Sequence, residues 1–228
     1  MGATPRLVKT GIELYLFILA LSTPALIAEA QDRVDTWQRW EHGLTSDKDY
    51  LNPCTDVEVR VRFDGPNGQT REGLGFWDGG RRFAIRCAFP TPGKWTWSTA
   101  SSDVGNHGLH GQSGIVRVEH STGGNPLRQH GYLRVSDDGR FLVHTDGTPF
   151  LWIGDTCWAA PVHATTQEWK RYVDDRADKG YSVLQLSIAP DWALEHAQLG
   201  VPPFLSKLPD IAQPNRQFFQ EMHRKLAL

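Results

Sequence analysis

The sequence predicts a two-part chain, with an all-β sandwich first and a parallel α/β segment second. Between residues 33 and 119, apolar residues alternate with polar ones, as in strands that bury one face. A polar stretch at residues 121–131 then breaks the pattern, which is typical of a linker. Beyond it, a strand, a helix and a second strand follow within about 40 residues. Such a unit requires a parallel sheet.

Residues 1–30 predict a secretory signal peptide. Arg6 and Lys9 form a basic start, residues 14–27 are largely apolar, and Ala28-Glu29-Ala30 has the small-x-small cleavage pattern. An uncleaved membrane anchor is the less favoured alternative, because the uninterrupted apolar run falls short of the roughly 20 residues that a spanning helix needs. We therefore expect cleavage after Ala30 and a secreted or periplasmic protein.

The charge and the metal-binding residue types narrow the possible partners. The net charge is −2, which gives no argument for a nucleic acid or an anionic surface. We expect no nucleic-acid partner and no membrane partner after signal cleavage, and composition leaves the oligomeric state open. The histidines are scattered and no Cys/His spacing matches a ligand set. The sequence thus predicts neither a metal site nor a cofactor.

Three cysteines allow one disulfide in an exported chain. Cys54 and Cys87 are the preferred pair, because both fall in the predicted all-β region, and Cys157 would stay a thiol. The alternative is that all three are small buried residues.

The sandwich is predicted to span residues 31–120. Val57, Val59, Val61 and Phe63 alternate with charged residues, and a hairpin is expected with arms at residues 74–77 and 82–89. Further strands are expected at residues 94–99 and 115–118. Six or seven strands of this spacing indicate a sandwich of immunoglobulin-like size.

Trp95 and Trp97 share one face of the predicted strand at residues 94–99. They could stack on a sugar, as in a carbohydrate-binding module. A core role is favoured, because so small a sandwich depends on burying large aromatic side chains.

The α/β segment is predicted to span residues 132–228. A small hairpin at residues 132–135 and 140–143 precedes it. Residues 150–153 are apolar on both strand faces, which favours a strand buried in a parallel sheet. Asp155, Thr156 and Trp158 would then follow its carboxyl end, where α/β proteins bind their ligands.

A helix and a second strand complete the unit. Thr165 and Glu168 form a capping box, and Gly180 is placed to end the helix. The second strand is predicted at residues 181–188, and Asn215 can cap a final helix. Candidate substrate-binding residues are Asp155, Thr156, Trp158, Gln185, Asp191 and Trp192, with Asp155 bonding sugar hydroxyls and Trp158 stacking on a sugar ring. The alternative is that Asp155 caps a turn and Trp158 packs beneath it.

Several motifs resemble a known family. Tyr50-Leu-Asn-Pro53, Gly75-Phe-Trp-Asp-Gly79 and Pro92-Gly-Lys-Trp95 resemble the β-sandwich domain that precedes the barrel of apiosidase-like glycoside hydrolases. Asp146-Gly-Thr-Pro-Phe150 and Gly154-Asp-Thr-Cys-Trp158 resemble the first strand region of that family's (β/α)8 barrel. Residues 176–185 and 215–219 are similar to its following helix, second strand and next helix.

The chain departs from the family pattern in two places. Cys157 stands where the family more often has alanine, and Tyr181-Ser182 replaces a Phe-Asn-like pair. We expect Ser182 to weaken a local backbone contact.

The resemblance implies an exported glycoside hydrolase that acts on side chains of plant polysaccharides. A (β/α)8 barrel takes about 250 residues, so we expect this chain to be an amino-terminal part, with the catalytic carboxylate pair beyond Leu228. The expected partner is an oligo- or polysaccharide. The alternative function is a non-catalytic carbohydrate-binding or adhesive β-sandwich protein.

Overall fold

The structure, a computed structural model, describes residues 32–123, 129–188, 198, 200–205 and 213–228. This part of the chain is mostly β-sheet with few helices. The predicted signal peptide, part of the linker, and the candidate residues Asp191 and Trp192 lie outside the described residues. Within the described ranges, no helix is long and apolar enough to cross a membrane.

Eight strands between residues 32 and 119 form two sheets. The first sheet has five strands, and all its neighbours pair antiparallel except β1 with β8. In spatial order they are β1 (Asp32–Asp35), β8 (Ser113–Glu119), β7 (Gly93–Ser101), β3 (Val59–Asp64) and β4 (Thr70–Leu74).

The second sheet has three antiparallel strands in the order β2, β6, β5. They are β2 (Arg39–Thr45), β6 (Arg82–Ala88) and β5 (Phe76–Trp77). Trp77 pairs with Phe83 across the turn, so the predicted hairpin is confirmed.

The two sheets share one hydrophobic core. Val59, Val61 and Phe63 are buried while the residues between them are exposed, as their alternation predicts. Trp95 has no exposed surface and Trp97 is 5% exposed. The prediction that both tryptophans are core residues is confirmed, and full burial of a large apolar side chain contributes about 1.5–3 kcal/mol.

The cysteines do not pair. Cys54, Cys87 and Cys157 are all free, and Cys54 is exposed. The predicted Cys54–Cys87 bridge is therefore absent from the structure. The alternative of three buried residues also fails for Cys54, and holds only in part for the other two. Cys87 is half-buried, and burial raises the pKa of its thiol to about 11, so it stays protonated at neutral pH.

A small antiparallel sheet follows the linker, with β9 (Leu133–Val135), β10 (Leu142–His144) and β11 (Pro149–Phe150). Pairing of β9 with β10 confirms the predicted hairpin. The strand predicted at residues 150–153 is wrong, because only Phe150 lies in a strand and it pairs antiparallel with β10. The next residues are exposed, Leu151 at 73% and Trp152 at 59%.

The parallel pair lies four residues later. β12 (Gly154–Trp158) pairs in parallel with β13 (Val183–Leu186). Immediately before β12, the Ser182 hydroxyl accepts from Ile153 N at 3.0 Å and donates to Leu151 O at 2.6 Å. These bonds occupy backbone groups that a ladder would otherwise use. The expectation that Ser182 weakens a local backbone contact stays a prediction.

Two helices connect β12 to β13. They are α1 (Ala160–His163) and α2 (Thr166–Asp178). Both halves of the predicted capping box are present, with Thr165 accepting from Glu168 N and Glu168 accepting from Thr165 N. Gly180 follows the helix at φ +80°, a conformation that favours glycine.

The last helix, α3 (Arg216–Leu226), begins at its predicted cap, where the Asn215 side chain accepts from Gln217 N at 3.2 Å. Phe218 and Met222 are buried and pack with Val162 of α1. The other side of α3 approaches the second sheet, where Gln220 Nε2 donates to Asp78 Oδ1 at 3.1 Å. This helix therefore joins the α/β segment to the β domain.

Candidate active-site wall and a second cleft

The sequence predicted that Asp155 would follow the carboxyl end of a strand. This is wrong, because Asp155 lies within β12. Its carboxylate faces α2, where the Tyr172 hydroxyl donates to Oδ2 at 2.7 Å. Arg176 Nη1 approaches the same oxygen at 3.2 Å. Because one cation and one hydroxyl already hold it, this half-buried carboxylate fixes the strand against the helix.

The electrostatics around Asp155 stabilise its hydrogen bond with Tyr172. Burial, and then the bond to Asp155, raise the pKa of the Tyr172 hydroxyl above its ordinary value of 10. The phenol therefore stays protonated and donates. The guanidinium of Arg176 packs against the rings of Tyr172 and Tyr181, at 5.1 and 5.3 Å from their centroids.

Thr156 and Gln185 lie on the opposite face of the parallel pair. They occupy paired positions in the β12–β13 register, and paired residues point to the same side of a sheet. Asp155 and its partner Leu184 point to the other side, because side chains alternate along a strand. Thr156 and Gln185 are both exposed, so a hydroxyl and an amide are open to a ligand there.

Trp158 ends β12 with a strained backbone. Its φ of +36° lies in the left-handed region, which costs a non-glycine residue about 1–3 kcal/mol. The register shifts between Thr156 and Trp158, so Cys157 is the extra residue of a bulge. The ring is 57% exposed and does not pack beneath a turn. Bulges and strained residues of this kind cluster at functional sites.

The structure thus puts two candidates, Thr156 and Gln185, on one face of the parallel pair and Asp155 on the other. Trp158 follows at the end of β12 with an exposed side chain, and we call Thr156, Gln185 and Trp158 the strand-end wall. Asp155 belongs to the helix-facing side. Within the described ranges, no three His, Cys, Asp or Glu side chains are placed to hold a metal ion.

A second feature escaped sequence reasoning. A cavity of about 710 Å³ lies between the second sheet and α3, and we call it the interdomain cleft. Aromatic and apolar side chains share its lining with charged groups; among the lining residues are Phe76, Trp77, Phe219, Arg39, Arg86 and His223. Four residues of the Gly75–Gly79 motif line the cleft. From the sequence, however, this stretch predicted only a hairpin.

The glycine at position 79 brings the β domain and α3 close together. It has φ +99°, and a Cβ there would lie 2.1 Å from the Arg216 side chain. Arg216 Nε in turn lies 3.6 Å from the carboxylate of Asp78. No larger residue fits at Gly79 without moving Arg216.

His223 stands between two cations at this interface. Arg39 bonds its Nε2, and Arg86 Nη2 lies 3.2 Å from its Nδ1. Burial, and then these two guanidiniums, lower the pKa of His223 below its ordinary 6.5. Glu41 and Asp78 oppose the shift without cancelling it. The imidazole is therefore neutral at pH 7.

Two protein families match parts of this chain. Residues 136–228 match the family described as apiosidase-like, catalytic domain, and residues 33–102 match a domain of unknown function, DUF5060. The carboxyl-terminal part of this chain is thus similar to the apiosidase-like family of glycoside hydrolases. No curated protein matches this chain.

Two solved structures extend the comparison. A Bacteroides vulgatus protein, which its name proposes to be a glycoside hydrolase, matches with a TM-score of 0.68 and 21% identity over 86% of this chain. The match covers 39% of that protein, so this chain spans about two fifths of its length. A structure named glycoside hydrolase matches with a TM-score of 0.32 and 24% identity, over 43% of this chain and 23% of that one. The first likeness shows a shared fold.

Proposed function

We infer that this chain serves in an exported glycoside hydrolase that acts on side chains of plant polysaccharides. The family match of residues 136–228 carries the proposal. In this reading, residues 31–120 are an immunoglobulin-like sandwich that braces a (β/α)8 barrel. β12, α2 and β13 are the first βαβ unit of that barrel. Export through the segment at residues 1–30 is part of the same proposal.

The strand-end wall supports a saccharide as the ligand. Thr156 and Gln185 offer a hydroxyl and an amide, which exchange hydrogen bonds with sugar hydroxyls. Trp158 offers an exposed ring, and an aromatic face packs on the C–H face of a sugar. Polar groups beside an apolar surface are typical of small-molecule sites.

The chemistry needs two carboxylates on either side of the scissile bond, about 5–5.5 Å apart for a covalent nucleophile or 6.5–9.5 Å apart for an attacking water. Asp155 does not fit either role, because Tyr172 and Arg176 hold its carboxylate on the helix side. We assign Asp155 to positioning β12. The acid and the nucleophile or base then come from the ends of other barrel strands.

The test is sugar release from pectic oligosaccharides. It is measured for this 228-residue chain and for the product of the reading frame that contains it. We expect the frame product to release sugar and this chain alone to release none. Release by this chain would contradict the assignment of the carboxylate pair, and no release by either protein would contradict the glycosidase proposal.

A further inference from the structure

We propose that the interdomain cleft is a second binding site, separate from the strand-end wall, and that it takes an acidic saccharide by its carboxylate. The proposal goes beyond glycoside hydrolysis, because it needs binding alone. Arg39 and Arg86 hold the carboxylate, and the aromatic side of the cleft holds the sugar ring.

The charge of the cleft is the first reason. Of the residues that the structure describes, three arginines and one carboxylate residue, Asp78, line it. Asp78 pairs with Arg216, and Glu41 pairs with Arg86. Among the described residues, no carboxylate lies within ion-pair distance of Arg39. A ligand anion would supply the missing charge.

The geometry around His223 is the second reason. Arg39 and Arg86 each direct a guanidinium N–H at one of its two ring nitrogens. A guanidinium only donates, and a neutral imidazole has one nitrogen that accepts. One of the two guanidiniums therefore faces another donor. A carboxylate has two oxygens, so it accepts from both guanidiniums at once.

The shape of the cleft indicates a saccharide over a simple anion. Its volume of about 710 Å³ falls within the range of about 300–1,000 Å³ for small-molecule pockets. Trp77 and Phe219 give it an apolar side, and Gln220 gives it an amide. Arg86 packs over the Phe76 ring at 4.3 Å, which fixes its guanidinium. An acidic sugar has a matching apolar ring face, hydroxyls and a carboxylate.

The experiment measures binding of trigalacturonate to this chain by calorimetry. The neutral galactose trisaccharide of the same linkage and sodium acetate are the two comparison probes. Arg39→Gln is the test variant, because no carboxylate in the part of the chain that the structure describes pairs with Arg39, and the change removes its charge. Arg33→Gln is the matched control, because Arg33 is an exposed arginine of β1 in the other sheet, paired with Glu119. The thermal midpoint of each variant reports whether it folds.

We expect trigalacturonate to bind at least about tenfold more tightly than either comparison probe, with binding that weakens as salt rises. Arg39→Gln should lose about tenfold in affinity, and Arg33→Gln should stay within twofold, which separates a specific contact from general charge. If the neutral trisaccharide bound as tightly as trigalacturonate, the assignment of a carboxylate contact would be overturned. If acetate bound as tightly as trigalacturonate, the assignment of a saccharide as the ligand would be overturned. Unchanged affinity in folded Arg39→Gln would overturn the site. None of these outcomes depends on hydrolysis, so failure here leaves the enzyme proposal standing.

Discussion

Single residues decide how β12 presents its side chains. Asp155 turns toward Tyr172 and Arg176, whereas Thr156 turns away from them. The bulge after Thr156 then puts Trp158 at a positive φ. This conformation holds an exposed ring at the end of the strand, and a regular strand would not.

The strain at Trp158 predicts that glycine at this position gives a more stable chain than alanine, the reverse of the usual order. Trp158→Gly and Trp158→Ala remove nearly the same side chain, and alanine is usually the more stable by about 0.5–1 kcal/mol. At φ +36° only glycine is relaxed, so we expect Trp158→Gly to be more stable than Trp158→Ala by about 1 kcal/mol. Urea denaturation of this chain measures the difference. A more stable alanine variant would mean that Trp158 is not held in the left-handed region.

Residue patterns predicted the local caps well and the disulfide poorly. The capping box at Thr165 and the cap at Asn215 depend on neighbours within three residues, which the sequence displays directly. Pairing of Cys54 with Cys87 depends on the distance between remote strands and loops. Nothing in the spacing of the cysteines gives that distance.

Elements were predicted where their period is clear. The alternation at residues 57–63 located β3, whereas the apolar run at residues 150–153 has no period and therefore fixes no register. The strand begins at Gly154, just after the Ile153 N–H and the Leu151 carbonyl that bond to the Ser182 hydroxyl. Because the predicted strand ended at residue 153, the sequence analysis placed Asp155 just after a strand end. In the structure, Asp155 lies within β12, which ends at Trp158.

Helix α3 docks on the β domain through a histidine whose protonation opposes docking. His223 meets Arg39 and Glu41 from β2, Arg86 from β6 and Asp78 from the turn after β5. Its pKa is lowered in the folded chain, so the unfolded chain takes up a proton first as the pH falls below about 6.5. The histidine's contribution to stability is complete above that pH and is lost as the pH falls through the folded-state pKa.

We therefore expect the free energy of unfolding of this chain to decrease between pH 7 and pH 5, and His223→Gln to flatten that decrease. Urea titrations at each pH measure the effect. His107→Gln, which changes an exposed loop histidine, is the control and should keep the original slope. An unchanged slope in His223→Gln would show that His223 does not couple docking to pH.

At the scale of the whole molecule, the chain combines a well-packed β domain with an open βαβ unit. The β core closes around Trp95, Phe63 and Phe89, while Leu151, Trp152 and Trp158 of the second part are largely exposed. Composition and period predicted two domains, because each half has its own repeat of apolar residues, and that domain division stays a prediction. They could not predict the interdomain cleft, which arises where residues about 140 positions apart meet, as Asp78 and Gln220 do.

The most direct test of the strand-end wall compares two exposed tryptophans. Trp158 and Trp152 are exposed to nearly the same extent, 57% and 59%, but only Trp158 lies at the carboxyl end of β12. The measurement is the KM and kcat for sugar release from pectic oligosaccharides by the product of the reading frame. We predict that Trp158→Ala raises KM about tenfold, equivalent to about 1.4 kcal/mol of binding, and that Trp152→Ala stays within about twofold of the parent. Equal effects of the two substitutions, or no effect of Trp158→Ala, would contradict the account.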